Sequence, residues 1–245
     1  MGEIIAITSR KGGTGKTTTA QAIADGIRRA GYTVLLIDLD SQHNLTAAMG
    51  ADPAGRNSTD LFNINARPAE LIQHTDNGDI IAGSNWLAAA DTILTDNEQL
   101  KDALRPFNKK YDYIIIDTPA SYGRLTMNTL TAATSAIITL EPATFSADGL
   151  EELAATIKQI KRTNKKLVIR GIIITRCDSR SNEVKNTIEE IRAAAADIGT
   201  EVLGAIRATS KVSSAQRHRQ NLYDYAPKST AALDYAEVVK VLLNK

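Results

Sequence analysis

Ile4-Ile5-Ala6-Ile7-Thr8-Ser9-Arg10-Lys11-Gly12-Gly13-Thr14-Gly15-Lys16-Thr17-Thr18 reads as a short apolar run, a turn carrying three glycines, and the approach to a helical stretch from Thr19 to Ala30. The apolar run barely alternates with polar residues, as expected of a strand buried on both faces. In an open α/β sheet, ligands bind beyond the carboxyl ends of the strands, where this turn lies. Gly12, Gly13 and Gly15 let backbone N–H groups curl around an anion, and the following helix N-terminus adds its partial positive charge. Lys16 can reach β- and γ-phosphates, and the Thr17 hydroxyl can ligate Mg²⁺. The strict pattern G-x-x-x-x-G-K-[ST] is not met: Arg10 stands where its first glycine falls, and a second lysine, Lys11, precedes the glycines.

Outward from this turn, further Ile/Val/Leu-rich runs occupy residues 34–38, 80–82, 113–117, 136–140, 167–175 and 202–206. Helical patterns alternate with them. Leu150, Leu153, Ile157 and Ile160 form one apolar face behind an N-cap at Ser146. A second helix runs from Glu183 to Ile198 and is closed by Gly199. A last one covers residues 230–243, with Leu233, Ala236, Val239 and Leu243 expected on its packed side. Alternating strands and helices predict an α/β fold: a single doubly wound, mostly parallel sheet flanked by helices. Residues 50–78 read as loops and short helices on the body of one domain covering residues 1–245, with no separate N-terminal DNA-binding domain. Trp86, Tyr223 and Tyr225 are expected to pack.

The 245 residues are 43% hydrophobic and 23% charged, an ordinary globular composition. With 29 basic and 28 acidic residues the net charge is +1, so a strongly basic nucleic-acid binder is not visible overall. Cys177 is the only cysteine, which excludes an intrachain disulfide and a thiolate cluster held within one chain. No 18-residue apolar stretch and no basic leader occur, so a cytoplasmic protein without membrane attachment is expected.

Two further runs end in carboxylates. Leu35-Leu36-Ile37-Asp38-Leu39-Asp40 places Asp38 near a metal shell and Asp40 where it can orient an attacking water. Tyr113-Ile114-Ile115-Ile116-Asp117-Thr118-Pro119 is an apolar strand ending in Asp, the Walker B arrangement, with Asp117 holding Mg²⁺.

The segments Lys11–Thr18, Asp38-Leu39-Asp40-Ser41-Gln42 and Ile116-Asp117-Thr118-Pro119, together with Leu222–Ser229, resemble the ParA/Soj (MinD-like) ATPases with a deviant Walker A motif. The likeness covers nearly the whole chain and implies a P-loop NTPase using ATP and Mg²⁺. It further implies a nucleotide-dependent homodimer with two ATP molecules sandwiched between subunits. Lys11 would reach the partner's phosphates, with Lys16 and Asp40 completing the catalytic set. The loop from Lys11 to Thr18 would hold the phosphates, Thr17, Asp38 and Asp117 the metal, and Thr175 and Arg176 the base. Such a dimer would bind double-stranded DNA without sequence preference, and a ParB-like partner would stimulate slow hydrolysis and release it, giving a nucleoid-associated partition ATPase. The chain departs from the family's pattern at Ser41, His43, Ala120 and Arg207, the last where the family commonly has a proline after the final strand.

The near-neutral net charge conceals uneven regions. Seven Lys/Arg and no acid fall between residues 153 and 177, and Arg207, Lys211, Arg217 and Arg219 with no acid between 202 and 223. Few aromatics interleave, which favours backbone contact with duplex DNA over base stacking. The resemblance places Arg180 and Lys211 where family members contact DNA, and Arg217 and Arg219 complete the expected DNA-binding set. Competing readings are an ATPase that positions a protein cargo on the nucleoid, a membrane-surface division regulator, and a small-molecule ligase on the same fold.

Overall fold

A computed structural model describes residues 2–63, 67–121 and 123–244, with the backbone alone at 91 and 93. Its strands are β1 (Glu3–Thr8), β2 (Val34–Asp38), β3 (Ile72–Thr75), β4 (Gly78–Ile81), β5 (Tyr113–Asp117), β6 (Ser135–Leu140), β7 (Val168–Cys177) and β8 (Val202–Arg207). The helices are α1 (Lys16–Arg29), α2 (Asn44–Met49), α3 (Ala90–Ile93), α4 (Gln99–Leu104), α5 (Arg124–Ala132), α6 (Ala147–Ile160), α7 (Asn182–Asp197), α8 (Ser210–Arg217), α9 (Leu222–Tyr225) and α10 (Thr230–Leu243). Among the described residues, the strands form one sheet in the order β3-β4-β2-β5-β1-β6-β7-β8.

Every pairing is parallel except β3 with β4. The doubly wound sheet expected from the sequence is therefore present, and β3 corrects the reading of residues 50–78 as loops and short helices. Its four residues, Ile-Gln-His-Thr, carry one large aliphatic group and turn back at Gly78, a signal too short to stand out.

β1 lies at the centre of the sheet, and the chain leaves it towards both edges. β5 and β6 flank β1 directly, with Ile7 opposite Asp117 and Thr8 opposite Ile138. This topological switch point opens a crevice at the carboxyl edge. The loops that follow β1, β2, β5, β7 and β8 all emerge there.

Both sheet faces are covered. Ile4, Leu35, Ile37, Ile114 and Ile116 pack under α5, α6 and α7, and Ile5, Leu36 and Ile115 pack under α1 and α10. Burying each such side chain contributes about 1.5–3 kcal/mol. The predicted caps are in place: Ser146 accepts from the Gly149 N–H at 3.0 Å, and Gly199 ends α7 at φ 75°.

Helix α10 packs through Ala231, Ala232, Tyr235, Val238, Val239 and Leu242, whereas Leu233 is 52% exposed. The expected packed side is thus rotated: Tyr235 anchors it, its hydroxyl sharing a 3.0 Å hydrogen bond with Thr19 at the base of α1. Trp86 is also corrected, being 74% exposed on a short 3₁₀ turn after β4. No described helix is long and apolar enough to cross a membrane.

Candidate nucleotide site

The turn after β1 closes on a column of hydroxyls. Gly13 and Gly15 adopt φ of 80° and 79°, so the loop doubles back over itself and α1 begins at Lys16, three residues earlier than the sequence pattern suggests. Beneath it, Ser9 Oγ donates to the Lys11 carbonyl at 2.8 Å, and Thr14 Oγ1 donates to Ser9 Oγ at 2.8 Å. With both protons so used, the 3.0 Å contact between Thr14 and Thr139 has Thr139 on β6 as its donor. Thr175 Oγ1, from β7, donates to the Thr14 carbonyl at 2.9 Å and lies 3.2 Å from the Leu140 carbonyl. Thr14, Thr139 and Thr175 are buried, so these bonds form in low dielectric and fix the loop before any ligand arrives.

Thr175 is therefore beneath the loop, 3% exposed, and not on the cleft wall where the family resemblance puts a base contact. A Cβ on Gly15 would meet its Cγ2 at 3.3 Å. Its neighbour Arg176 does face the cleft, held at φ 53° and paired with Glu141 at 3.3 Å.

The two strand-end carboxylates stand side by side, Asp38 opposite Asp117 in the β2–β5 register, and both are fully buried. They are not equivalent. Asp38 takes the Thr46 N–H (2.9 Å) and hydroxyl (2.7 Å) on one oxygen and the Asp40 N–H (3.1 Å) on the other. Gly83 packs flat against it, since a Cβ there would come within 2.8 Å of the Asp38 carboxyl carbon. Asp38 thus ties α2 and the β4 end to β2, one layer behind the cleft. Burial pushes its carboxyl up to about 6, against the opposing effect of the Thr46 bonds.

Asp117 accepts the Thr17 hydroxyl at 2.7 Å on Oδ2, while its buried Oδ1 has no partner. Burial and the adjacent Asp38 charge raise its carboxyl well above the usual range, opposed by Thr17 and Lys16. An orphan carboxylate oxygen next to a hydroxyl that lines the cleft is a donor set suited to a hard divalent cation, and Mg²⁺ fits it. Lys16 is 6% exposed, with its ammonium 3.3 Å from Ser9 Oγ. Burial lowers its pKa, and the charges of Asp117 and Asp40 work against that. Asp40 is half-buried on the cleft wall and accepts the Gln42 N–H at 3.0 Å, so the strand has ended and its carboxylate points along a turn. Lys11 is exposed, its carbonyl engaged by Ser9 and its side chain at the loop's outer rim.

The cleft has a volume of about 780 Å³. Its floor is Gly12, Gly13, Gly15 and Lys16 to Thr18; its far walls come from α2 and from α8 with the residues just after it. Arg217 and Arg219, both exposed, stand at its edge as well. Arg219 sits at φ 52°, and its carbonyl accepts from Asn77 at 2.8 Å. Lys211 is exposed at the start of α8. Arg180 is exposed too and folds back onto Asp178 at 3.2 Å. All four lie at the carboxyl edge. Five bases of the other run, Lys158, Lys161, Arg162, Lys165 and Lys166, gather at the opposite edge, between the end of α6 and the start of β7. Arg207, the substitution for the family's proline, is clamped by Asp234, which accepts from its backbone N–H at 2.9 Å and from its guanidinium at 2.6 Å.

Comparison with known proteins adds a second line of support. The AAA domain family (AAA_31) matches residues 2–169. The sporulation initiation inhibitor protein Soj of Bacillus subtilis is 34% identical over 249 residues, covering 98% of both chains. The chromosome partitioning protein ParA of Myxococcus xanthus is 36% identical over 202 residues, covering 78% of this chain and 71% of that one. The chain belongs to the ParA/Soj/MinD-like ATPases. Among solved structures, cobyrinic acid a,c-diamide synthase of Mycobacterium smegmatis, with ADP and magnesium bound, superposes with a TM-score of 0.82 at 28% identity. That match covers 100% of this chain and 95% of the other. The fold is thus that of P-loop NTPases.

Within this ParA-like site, Ser9, Thr46, Thr139 and Gln216 escaped the sequence reading. Thr139 carries a signal: it is a lone hydroxyl in the run Ala-Ile-Ile-Thr-Leu, one position beyond the register partner of Thr8. Thr46 sits in a six-residue, mostly apolar helix and Gln216 in a mostly polar one, and neither carries a signal.

Proposed function

We propose that this chain is an ATP-dependent DNA partition ATPase, acting on plasmid or chromosome as a nucleoid-associated cytoplasmic protein. The observation that carries the reading is the cleft itself. A preorganised phosphate loop, a Thr17–Asp117 pair with an open carboxylate oxygen, and basic residues of the α8 segment all meet at one sheet edge. The Soj likeness over 98% of the chain supports the same reading.

In this function the N–H groups of residues 12–18 and the α1 N-terminus take the phosphates, with Lys16 placed on the β- and γ-oxygens. Mg²⁺, held by Thr17 and Asp117, supplies neutralisation of developing phosphate charge when bound. Asp38 holds α2 and the Asp40 turn in place. Asp40, on the wall opposite the loop, orients the attacking water. Exposed Lys11 is free to reach the phosphates of a second subunit, giving an ATP-sandwich dimer. Lys211 and Arg217, joined by Arg180 and Arg219, contact DNA phosphates without sequence preference. A ParB-like partner stimulates hydrolysis and releases the DNA. The base is left to Arg176 and the α8 residues on the cleft wall, because Thr175 is buried.

The test is binding to random-sequence duplex DNA at two salt concentrations with ATP, ADP and no nucleotide, for the wild type and for Lys211→Glu/Arg217→Glu. Expected are ATP-dependent, salt-sensitive binding by the wild type and loss of binding by the variant. With two phosphate contacts removed, any residual salt slope should be shallower by about 2. Hydrolysis without DNA binding in any nucleotide state would reject partition and cargo positioning on the nucleoid together. Vesicle and small-substrate assays would then separate the remaining readings.

A further inference from the structure

Helix α8 is lightly held. Among its eight residues only Ala215 is buried, with Val212 partly covered. Yet it forms a wall of the cleft through Ser213, Gln216 and Arg217, and it carries Lys211 on its exposed side. Its side-chain link to the phosphate-loop helix is a hydrogen bond across 198 residues: Gln216 Nε2 donates to Thr18 Oγ1 at 3.1 Å. Thr18 adjoins Thr17 in the first turn of α1 and also lines the cleft. With its oxygen lone pair given to Gln216, its hydroxyl proton remains for the cleft.

A phosphate oxygen accepting that proton polarises the hydroxyl and makes its oxygen a better acceptor for the Gln216 amide, since hydrogen bonds in series strengthen one another. An empty loop gives no such reinforcement. The same amide borders a cavity of about 10 Å³ between α1 and α8, lined also by Gln21, Asp25 and Gln220. That is room for about one water molecule. The buried Gln21 Nε2 and Asp25 Oδ2 have no protein partner there, so alongside the packing of Ala215 and Val212 the Gln216–Thr18 bond is what links α8 to α1 at this point.

We propose that Gln216 is a positioning residue that reads the occupancy of the phosphate loop through Thr18 and sets the placement of α8, and with it the bases Lys211 and Arg217 that the helix carries. The placement step stands on the geometry alone; its consequence for DNA rests on the function proposed above. Gln216 acts through Thr18 and takes no part in the chemistry.

The experiment uses the full chain with and without a saturating non-hydrolysable ATP analogue and Mg²⁺, as wild type, Gln216→Leu, Thr18→Val, Thr18→Ser and the Gln216→Leu/Thr18→Val double variant. Hydrogen exchange of the 210–217 amides is the first readout, since it follows the helix whether or not DNA binds. The wild type and Thr18→Ser should gain protection there with the analogue. Gln216→Leu and Thr18→Val should lose about five- to tenfold of that gain, the worth of one hydrogen bond, and the double variant should lose no more than either single. The ratio of DNA affinities with analogue and with ADP, at saturating nucleotide, should fall by the same factor.

A nucleotide response of α8 that is absent in the wild type, or preserved in Gln216→Leu, overturns the proposal, as do additive losses in the double variant. A wild type that binds no DNA but loses the exchange response on Gln216→Leu rejects the partition reading and leaves the positioning role of Gln216 standing.

Discussion

Replacing Thr175 with valine removes one hydroxyl and changes almost nothing in shape, so the effect isolates what that hydroxyl does. In the structure its proton serves the Thr14 carbonyl at 2.9 Å, with the Leu140 carbonyl 3.2 Å away, and the residue is 3% exposed. Losing one buried hydrogen bond while leaving its acceptors dry costs about 1–2 kcal/mol. In a chain of 245 residues each kcal/mol lowers Tm by about 2–4 °C, so a fall of roughly 2–8 °C is expected by calorimetry or circular dichroism. Because the hydroxyl anchors the loop and touches no base, affinity for ATP and for ADP should weaken by the same factor. Discrimination between adenine and guanine nucleotides should not move. An unchanged Tm together with altered base preference would refute the argument and return Thr175 to the base-binding role suggested by the family resemblance.

Asp40→Ala should keep ATP binding, measured with a fluorescent analogue, while hydrolysis nearly vanishes; normal turnover would mean that Asp40 does not orient the water. Asp25 offers a test by pH. Burial pushes its carboxyl up to about 6, with pairing to Arg28 opposing the rise. Between its unfolded value of ~3.9 and 6 the folded state keeps a proton that the unfolded chain has lost. The stabilisation from that proton is full below about pH 4 and disappears as pH rises through 6, a change of about 3 kcal/mol. Asp25→Asn should lack it, so its stability relative to wild type should climb between pH 4 and 7; a difference that stays flat with pH would show that the burial effect is misjudged.

What the chain's sequence made legible is what periodicity and turn chemistry encode. The β1 run and its glycines announce the phosphate loop, and the aspartates closing β2 and β5 announce the carboxylates, because a parallel strand buried on both faces has no other place for a charge. The finer division of labour depends on neighbours far along the chain. Asp38 and Asp117 are alike in sequence, and only Thr46 and Gly83 make one of them structural. Thr175 closes its apolar run in the sequence much as Asp38 and Asp117 do, and only contact with Thr14 shows that it faces inward. Helix α10 has apolar residues on more than one side, so Leu233 and Tyr235 compete for the core until α1 decides, through Thr19. Arg217 and Arg219 read as surface charge because α8 and the residues after it are mostly polar; the fold brings them to the cleft by placing α8 beside α2. Strand β3 is four residues long and gains its conformation from β4 alone.

The hydrogen bond from Gln216 to Thr18 also has a consequence for how the protein is made. Thr18 in the phosphate loop leaves the ribosome 198 residues ahead of Gln216 in the cleft's far wall. At about 5–20 residues per second, the 198 residues between them take roughly 10–40 s to synthesise. β1 itself cannot take its place in the sheet until β5 and β6, which flank it, have been made. Until those residues are made, the glycine turn lacks its carboxylate at Asp117 and its hydroxyl column, which needs Thr139 and Thr175. A nascent chain therefore cannot charge itself with nucleotide piecemeal, and one truncated before α8 lacks a wall of the cleft. Late closure of this kind ties the cleft to the synthesis of α8, and it leaves the earlier strands dependent on protection against wrong pairing while they wait.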